Sequence, residues 1–228
     1  MSIRENVAHV MDGIARAAER SGRHPAAVTL VAVSKTFGPE TIREAVAAGV
    51  RIFGENRLQE ALDKMAVLDS DLTWHLVGHL QRNKAAKAVS SFHMIESIDS
   101  DRLLREVDKR AGQQARVMPV LFEVNVAGER SKTGMPVGEL ADLVMLAGEL
   151  MHVSLRGLMV VPPYSADPEA GRPYFQEIVR LRDEMTALGV PGVDLRHLSM
   201  GMSNDFEVAI EEGATIVRVG TALFGGRR

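Results

Sequence analysis

The sequence predicts an α/β fold, a single (β/α)8 TIM-like barrel that spans residues 1–228 as one domain and carries an extra N-terminal helix. Short apolar runs alternate with helix-like stretches, and this alternation indicates parallel strands joined by crossover helices. About eight such units suit a closed barrel, whereas the alternative, a doubly wound open sheet, has about five or six strands. No Pro- or Ser-rich linker divides the chain.

The spacing of apolar residues predicts each element in turn. Residues 1–22 form the N-terminal helix packed on the barrel, because Ile3, Val7 and Ile14 lie on one helical face and Ser21-Gly22 ends the pattern. Strands are predicted near residues 28–34, 50–54, 73–78, 92–98, 117–126, 154–161, 194–200 and 215–219. Helices are predicted at Glu40–Ala48, Gln59–Leu68, Arg102–Arg110, Val137–Leu150, Tyr174–Leu188 and Phe206–Glu211. The strand runs are apolar on both faces, as in strands enclosed by helices.

Composition and charge exclude several classes of function. The formal net charge of −3 gives no electrostatic reason to expect nucleic acid or an anionic membrane as partner. The lack of cysteine excludes disulfides, thiolate nucleophiles and cysteine-ligated zinc. No apolar run reaches the roughly 18 residues of a membrane span, and the N-terminus lacks the apolar core of a signal peptide. We therefore expect a soluble, cytoplasmic protein that binds neither nucleic acid nor membrane.

The barrel prediction places the functional site at the C-terminal ends of the strands, where barrels of this type carry their active sites. The polar residues at those ends are Lys35, Asn56, His75, Asn125, Ser199 and Arg218. We expect them to converge on one mouth. His75 and His79 are four residues apart, but they lie on either side of a strand end and have no acidic partner at ligand spacing, so no metal site is predicted.

Lys35 closes the run Leu30–Ser34, an apolar strand in which Val31, Val33 and Lys35 share one face. Desolvation lowers the pKa of a lysine, and a neutral lysine amine can form a Schiff base with a carbonyl. The alternative is a lysine that simply extends its amine to solvent at the end of the strand.

Two C-terminal segments supply candidate anion donors. Gly201 follows the strand that contains Ser199 and lets the backbone approach a ligand closely, with Ser203 or Asn204 as cap of the next helix. The alternative for this segment is an ordinary turn and helix cap. Gly220-Thr221 opens a second, short helix beside the first.

Arg218 and Asn56 each have a structural and a functional interpretation. The Arg218 guanidinium could pair with Glu123 or another core carboxylate, or it could donate to a ring nitrogen of a ligand. Asn56 could donate to a ligand oxygen near Lys35, or it could cap the helix that follows.

Several segments together resemble the pyridoxal phosphate homeostasis proteins, and the resemblance covers essentially the whole chain. The segments are Val31–Lys35, Phe53–Asn56, Trp74–Lys84, Gly157–Met159, Leu198–Asp205 and Val217–Gly225. The family has the barrel that is also found in the N-terminal domain of alanine racemases. One departure is Arg57, which stands where many members have an aromatic residue.

The resemblance implies a cofactor and a role for each site residue. Lys35 would carry pyridoxal 5′-phosphate (PLP) as a Schiff base, Asn56 would lie near the ring hydroxyl, and Arg218 would face the pyridine nitrogen. The residues implied to hold the phosphate are Ser199, Gly201, Gly220 and Thr221.

An arginine partner also limits the chemistry. Arginine only donates, so the pyridine nitrogen stays unprotonated and supports carbanions poorly. The racemases resembled here take a second acid/base group from an additional domain and a partner subunit, and this sequence ends at Arg228. We therefore expect a non-catalytic, monomeric PLP-binding protein in vitamin B6 and amino-acid homeostasis, with PLP-dependent apo-enzymes as candidate recipients. The alternatives are a stand-alone PLP-dependent amino-acid racemase of modest activity and a partner-binding module that uses the Arg82–Lys87 surface.

Overall fold

Eight parallel strands close into a barrel in the computed structural model, which describes residues 2–129 and 133–226. With a short ninth strand, β6, the strands of the described residues are β1 (Thr29–Val33), β2 (Ile52–Glu55), β3 (Thr73–Leu76), β4 (Met94–Ile98), β5 (Met118–Asn125), β6 (Met135–Pro136), β7 (Val153–Met159), β8 (His197–Ser199) and β9 (Ile216–Val219). Their order is β4-β3-β2-β1-β9-β8-β7-β5, and pairing of β4 with β5 closes the barrel. The short β6 pairs only with the end of β5 and lies outside the ring.

Helices surround the barrel and alternate with its strands along the chain. They are α1 (Ile3–Arg20), α2 (Pro39–Ala47), α3 (Leu58–Met65), α4 (Ala85–Ser91), α5 (Asp101–Gln113), α6 (Leu140–Glu149), α7 (Arg172–Ala187), α8 (Phe206–Glu211) and α9 (Thr221–Phe224). The predicted TIM-like barrel and its N-terminal helix are confirmed.

The N-terminal helix α1 begins with a capping box and packs on α8, α9 and α2. Ser2 Oγ accepts from the Glu5 backbone N–H, and the Glu5 carboxylate accepts from the Ser2 N–H, so two N–H groups at the helix start are satisfied. A Cβ added to Gly13 would lie 3.0 Å from the Phe206 ring, which shows how closely α1 approaches α8. The helix therefore belongs to the packed body of the protein.

The main core lies between the outer faces of the strands and the inner faces of the helices. Phe53 on β2 and Trp74 on β3 are both buried there, and their ring centroids are 5.5 Å apart. Offset aromatic pairs at this separation stabilise beyond the area they bury. Trp74 is thus a core residue.

The inside of the barrel has a separate apolar layer. Val31, Leu121, Met159 and Ile216 come from β1, β5, β7 and β9 and form one buried cluster. Strands on opposite sides of a barrel touch only across its interior, so these side chains point inward. Two residues further along β5 and β9, the same inward faces carry Glu123 and Arg218. The interior therefore changes from apolar to charged towards the C-terminal ends of the strands.

Candidate functional site

A cavity of about 340 Å³ opens at the C-terminal ends of the barrel strands. The segments that follow β1, β2, β3, β7, β8 and β9 line it. Its volume lies within the range of small-molecule and cofactor sites. The site residues predicted from the sequence that line the cavity are Lys35, Asn56, Arg218, Gly220 and Thr221.

Lys35 lies in the turn that joins β1 to α2. The strand ends at Val33, and Ser34 and Thr36 flank the lysine. Ser34 is fully buried, whereas the Lys35 side chain is half-buried and lines the cavity. Thr36 has a φ of +70°, a left-handed conformation that is uncommon for a β-branched residue. The backbone next to the candidate reactive amine is therefore held in a strained conformation.

Arg218 lies at the floor of the cavity and is 5% exposed. Its Nη1 donates to Ser199 Oγ at 2.6 Å, and its Nη2 donates to the Val160 carbonyl at 2.8 Å. Burial lowers the pKa of Arg218, and the charges of nearby carboxylates act in the opposite direction. Glu123, the acid proposed from the sequence as its partner, accepts instead from Thr133 Oγ1 at 2.5 Å.

Ser199 connects Arg218 to a buried carboxylate on the far side of the barrel. Its hydroxyl accepts from Arg218 and donates to Glu96 Oε2 at 2.5 Å. The other Glu96 oxygen lies 2.6 Å from His75 Nδ1. We call His75, Glu96, Ser199 and Arg218 the interior network. Ser199 thus lies in this network rather than among the residues that line the cavity, and its role towards a phosphate stays a prediction.

Glu96 is the member of the interior network that the sequence interpretation missed. Burial acts to raise its pKa, but the hydrogen bond and charge of His75, the charge of Arg218 and the Ser199 hydroxyl outweigh burial and hold the pKa below its ordinary value. The available sequence signal was a glutamate in the middle of the run Met94–Ile98. In the structure this run is β4, and Glu96 has no exposed surface. A charge at such a position needs partners inside the fold.

Gly201 also lies behind the cavity lining. It has a φ of +90°, and a Cβ there would meet Ala209 at 2.6 Å and the Phe206 backbone at 2.9 Å. Only glycine allows the chain to pass this close to α8. Its carbonyl also accepts from the Arg218 backbone N–H at 3.0 Å. Gly201 therefore shapes the loop that places Met202 at the cavity.

Ser203 links the two C-terminal loops that were predicted to bind an anion. Its Oγ accepts from the backbone N–H groups of Gly220 and Ala222, both at 3.1 Å. Asp205, and not Ser203 or Asn204, occupies the N-cap position of α8, and its side chain makes no capping hydrogen bond, so the sequence interpretation of the cap is wrong. Asp205 Oδ1 accepts from the Met202 N–H at 2.6 Å, and burial raises the pKa of Asp205.

Asn56 lines the cavity and also an adjoining groove on the α3 side. It is not a helix cap, because Arg57 holds the N-cap position of α3. A Cβ on Gly78 would lie 2.4 Å from the Asn56 carbonyl oxygen, so glycine is required where the β3 loop passes Asn56. The Asn56 backbone is therefore closely packed on the β3 loop at the end of β2, the strand that pairs with β1.

The described residues also bear on metal binding and membrane crossing. Within residues 2–129 and 133–226, no three His, Asp or Glu side chains are grouped so that they could hold a metal ion. In the same part of the chain, no helix has the length and apolar character needed to cross a membrane.

Known proteins match this chain over its full length. The sequence profile of the alanine racemase N-terminal domain matches residues 6–228. A pyridoxal phosphate homeostasis protein from Aquifex aeolicus is 47% identical and covers 100% of both chains. Another from Pseudomonas aeruginosa is 44% identical over 99% of this chain and 96% of its own. The chain belongs to the pyridoxal phosphate homeostasis protein family. The family resemblance inferred from the sequence motifs is confirmed.

A solved structure of the same family shares the whole architecture. PipY of Synechococcus elongatus PCC7942, described with PLP bound, is 40% identical and has a TM-score of 0.86. The match covers 98% of this chain and 100% of that one. The motifs that identify the family include the ends of β1, β2, β8 and β9, which form the cavity described above.

Proposed function

We propose that this protein binds PLP in the mouth cavity, holds it covalently through Lys35, and acts in PLP and amino-acid homeostasis in the cytoplasm. The observation that carries the proposal is that Lys35 and Arg218 line one cavity from adjacent strands. β1 and β9 pair in parallel with Val31 opposite Arg218. The relatives named as pyridoxal phosphate homeostasis proteins and the PLP-bound PipY support this choice of ligand.

The donor set of the cavity fits the three functional parts of PLP. Lys35 offers an amine for the aldehyde, and Arg218 offers N–H donors for the pyridine nitrogen, which is an acceptor when unprotonated. Thr221 offers a backbone and a hydroxyl donor for the phosphate, and Gly220, whose N–H donates to Ser203 Oγ, lines the cavity beside it. A Cβ on Gly220 would lie 3.2 Å from the Val33 carbonyl oxygen, so glycine keeps this wall of the cavity open.

Lys35 would hold the cofactor by condensation of its amine with the aldehyde of PLP. Its neutral amine adds to the aldehyde carbon of PLP, a C=N bond forms, and the aldehyde oxygen leaves as water.

Arg218 determines what the bound cofactor is able to do. When bound, PLP supplies an electron sink whose strength depends on protonation of its ring nitrogen. Arg218 has no proton acceptor and stays charged, and the nearby carboxylates Glu96, Glu123 and Asp205 favour that charge. The pyridine nitrogen therefore stays unprotonated, and carbanion chemistry receives little support. This combination favours holding PLP over turning over amino acids.

Borohydride reduction followed by peptide mass spectrometry tests the attachment. We expect one pyridoxyl group, on Lys35, and we expect Lys35→Ala to lose both the adduct and the visible absorbance of bound PLP. Lys84→Ala is the matched control, because Lys84 is a lysine of the groove beside the cavity and should leave the adduct unchanged. An adduct on another lysine of the wild-type protein would refute the assignment.

PLP-loaded protein that has not been reduced tests the alternative of a stand-alone amino-acid racemase. PLP-loaded protein is mixed with L-alanine in D₂O, and deuterium at Cα and the D-enantiomer are measured over time. We expect a stoichiometric absorbance change without continued exchange. Steady exchange that stops in Lys35→Ala would instead establish a stand-alone amino-acid racemase.

Delivery of PLP to apo-enzymes and a monomeric state are further parts of the proposal. An apo-enzyme added with a PLP-consuming phosphatase should recover activity from the loaded protein more fully than from free PLP. Equal recovery would contradict direct transfer. Sedimentation velocity should give the mass of one chain.

A further inference from the structure

A buried lysine lies behind the turn that carries Lys35. Lys64 is in the last turn of α3, and only 5% of it is exposed. Its Nζ donates to the Ser34 carbonyl at 2.8 Å, to Glu55 Oε1 at 2.6 Å and to Glu60 Oε1 at 2.7 Å. These contacts use all three protons of the ammonium group. We call Ser34, Glu55, Glu60 and Lys64 the Lys64 cluster.

The Lys64 cluster contacts the backbone on both sides of Lys35. On the N-terminal side, the Ser34 carbonyl accepts from Lys64, and the Ser34 hydroxyl donates to Glu55 Oε1 at 2.6 Å. On the C-terminal side, the Thr36 N–H donates to Glu60 Oε1 at 2.5 Å. The two residues next to Lys35 are therefore both connected to one buried ammonium, directly at Ser34 and through Glu60 at Thr36.

Thr36 gives an independent reason to regard this turn as constrained. A left-handed backbone is sterically unfavourable for an L-residue, and Thr36 adopts one with a φ of +70°. Such a conformation persists where the surroundings hold it in place. The hydrogen bond from the Thr36 N–H to Glu60, itself fixed by Lys64, is the contact that does so here.

Burial of the charged groups of the Lys64 cluster has a desolvation cost in free energy. The Lys64 ammonium forms ion pairs with two carboxylates, those of Glu55 and Glu60. Among the described residues, Glu55 Oε2 is buried without a hydrogen-bond partner. Replacing buried ion pairs with apolar residues of similar volume is often neutral or stabilising. Stability alone therefore does not account for a lysine at this position, whereas the geometry that it imposes on the turn does.

We propose that Lys64 and Glu60 are positioning residues that set the backbone of the Lys35 turn and so direct the Lys35 amine into the cavity. This inference rests on the proposed function, in which Lys35 is the amine that bonds to PLP. Neither Lys64 nor Glu60 lines the cavity, and both act through the peptide groups next to Lys35.

The test measures how fast the purified full-length chain, freed of PLP, forms its covalent linkage when PLP is added. Lys64→Met keeps an unbranched side chain one atom shorter than lysine and removes its three donors. We expect the rate to fall about tenfold or more, because small misplacement of a reacting group is enough for such losses. Hydrogen exchange at the Thr36 amide should accelerate in the same variant.

Glu60 provides the conservative pair. Glu60→Gln keeps an oxygen that accepts from the Thr36 N–H, whereas Glu60→Ala removes it. We expect Glu60→Gln to form the linkage at close to the wild-type rate and Glu60→Ala to resemble Lys64→Met. Leu143→Ala, a buried truncation in α6 away from β1, is the control for general loss of stability and should leave the rate unchanged.

The possible failures are distinguishable. Wild-type rates and Thr36 exchange in both Lys64→Met and Glu60→Ala, with the pyridoxyl group still on Lys35, would overturn this inference and leave the proposed function standing. A pyridoxyl group on another lysine of the wild-type protein would overturn the proposed function. If Lys64→Met fails to fold, the two Glu60 variants decide the question, because the Glu60 side chain is partly exposed at 26%.

Discussion

The interior network and the Lys64 cluster are both buried groups of charges, but they satisfy their carboxylates differently. In the interior network, each Glu96 oxygen has its own partner, His75 for Oε1 and Ser199 for Oε2. In the Lys64 cluster, Glu55 uses only Oε1, which accepts from both Ser34 and Lys64. The two sites have similar residue types but differ in how many hydrogen-bond partners each carboxylate oxygen has.

This difference shifts the pKa values of Glu55 and Glu96 in opposite directions. Burial raises the pKa of Glu55 above its ordinary value, and the hydrogen bonds from Lys64 and Ser34 do not offset burial. Burial acts in the same direction on Glu96, but its partners outweigh burial and lower the pKa. A buried glutamate therefore remains ionised below the cavity, where it supports the charge of Arg218. Behind Lys35, the second carboxylate shares one cation with Glu60.

Glu96→Gln should have the largest effect on stability. We expect the free energy of unfolding at pH 7, measured with urea in the absence of PLP, to fall by about 3 kcal/mol, because a buried ionised partner is lost. A depressed pKa contributes stability above the unfolded value of about 4.3, and that stability is lost as pH falls through the folded pKa. The difference between wild type and variant should therefore shrink as pH is lowered below about 4.

The control for Glu96→Gln is Glu184→Gln. Glu184 pairs with Arg180, but its side chain is 50% exposed. Exposed pairs contribute little, so this variant should unfold at nearly the wild-type urea concentration at every pH. A Glu96→Gln variant that behaved in the same way would contradict the assigned role of the interior network.

Glu55→Gln should have a smaller effect, with the opposite dependence on pH. The amide oxygen can still accept from Ser34 and Lys64, so we expect a loss of about 1 kcal/mol near pH 4. A raised pKa contributes stability below the unfolded value of about 4.3, and that contribution is lost as pH rises through the folded pKa. The free energy of unfolding of the variant, measured with urea, should therefore rise relative to that of wild type as pH rises from 4 to 7. A difference that widened instead would show that Glu55 is shifted like Glu96.

The sequence was sufficient to predict the barrel and part of the site. Alternating apolar and helical segments predicted the fold, and a polar residue after an apolar run marked Lys35, which lines the cavity. The interior network was not predictable, because Ser199 and Glu96 are 103 residues apart in the chain and meet only when the barrel closes. Periodicity assigns faces to a strand but does not pair residues across a barrel interior.

The Lys64 cluster was missed for a different reason. Glu60 and Lys64 have the i,i+4 spacing of an ordinary exposed helix pair. However, Lys64 also lies three residues after the buried Ala61, on the face of α3 that packs against the barrel. That position was the available signal. Spacing alone does not show whether a lysine on such a face extends to solvent or bonds to a neighbouring strand end.

Thr36→Gly should have the smallest effect on stability and bears most directly on the Lys35 turn. Glycine adopts a positive φ without the steric cost, but it adds freedom to the unfolded chain, so we expect a stability change within about 1 kcal/mol. Ala115→Gly is the matched control, because Ala115 is an exposed residue with a φ of +51° in the loop between α5 and β5. Both variants relieve the same kind of strain.

The two glycine variants should differ in reaction with PLP. Thr36→Gly loosens the residue next to Lys35, so we expect the covalent linkage to form several-fold more slowly, by the same misplacement that Lys64→Met is designed to produce. Ala115→Gly should match the wild-type rate. The rates follow from stopped-flow absorbance, and the stabilities from urea unfolding of the same preparations. Equal rates in both variants would mean that the backbone conformation at Thr36 does not affect how fast the linkage forms. The Lys64 cluster would then act on the turn through Ser34 alone.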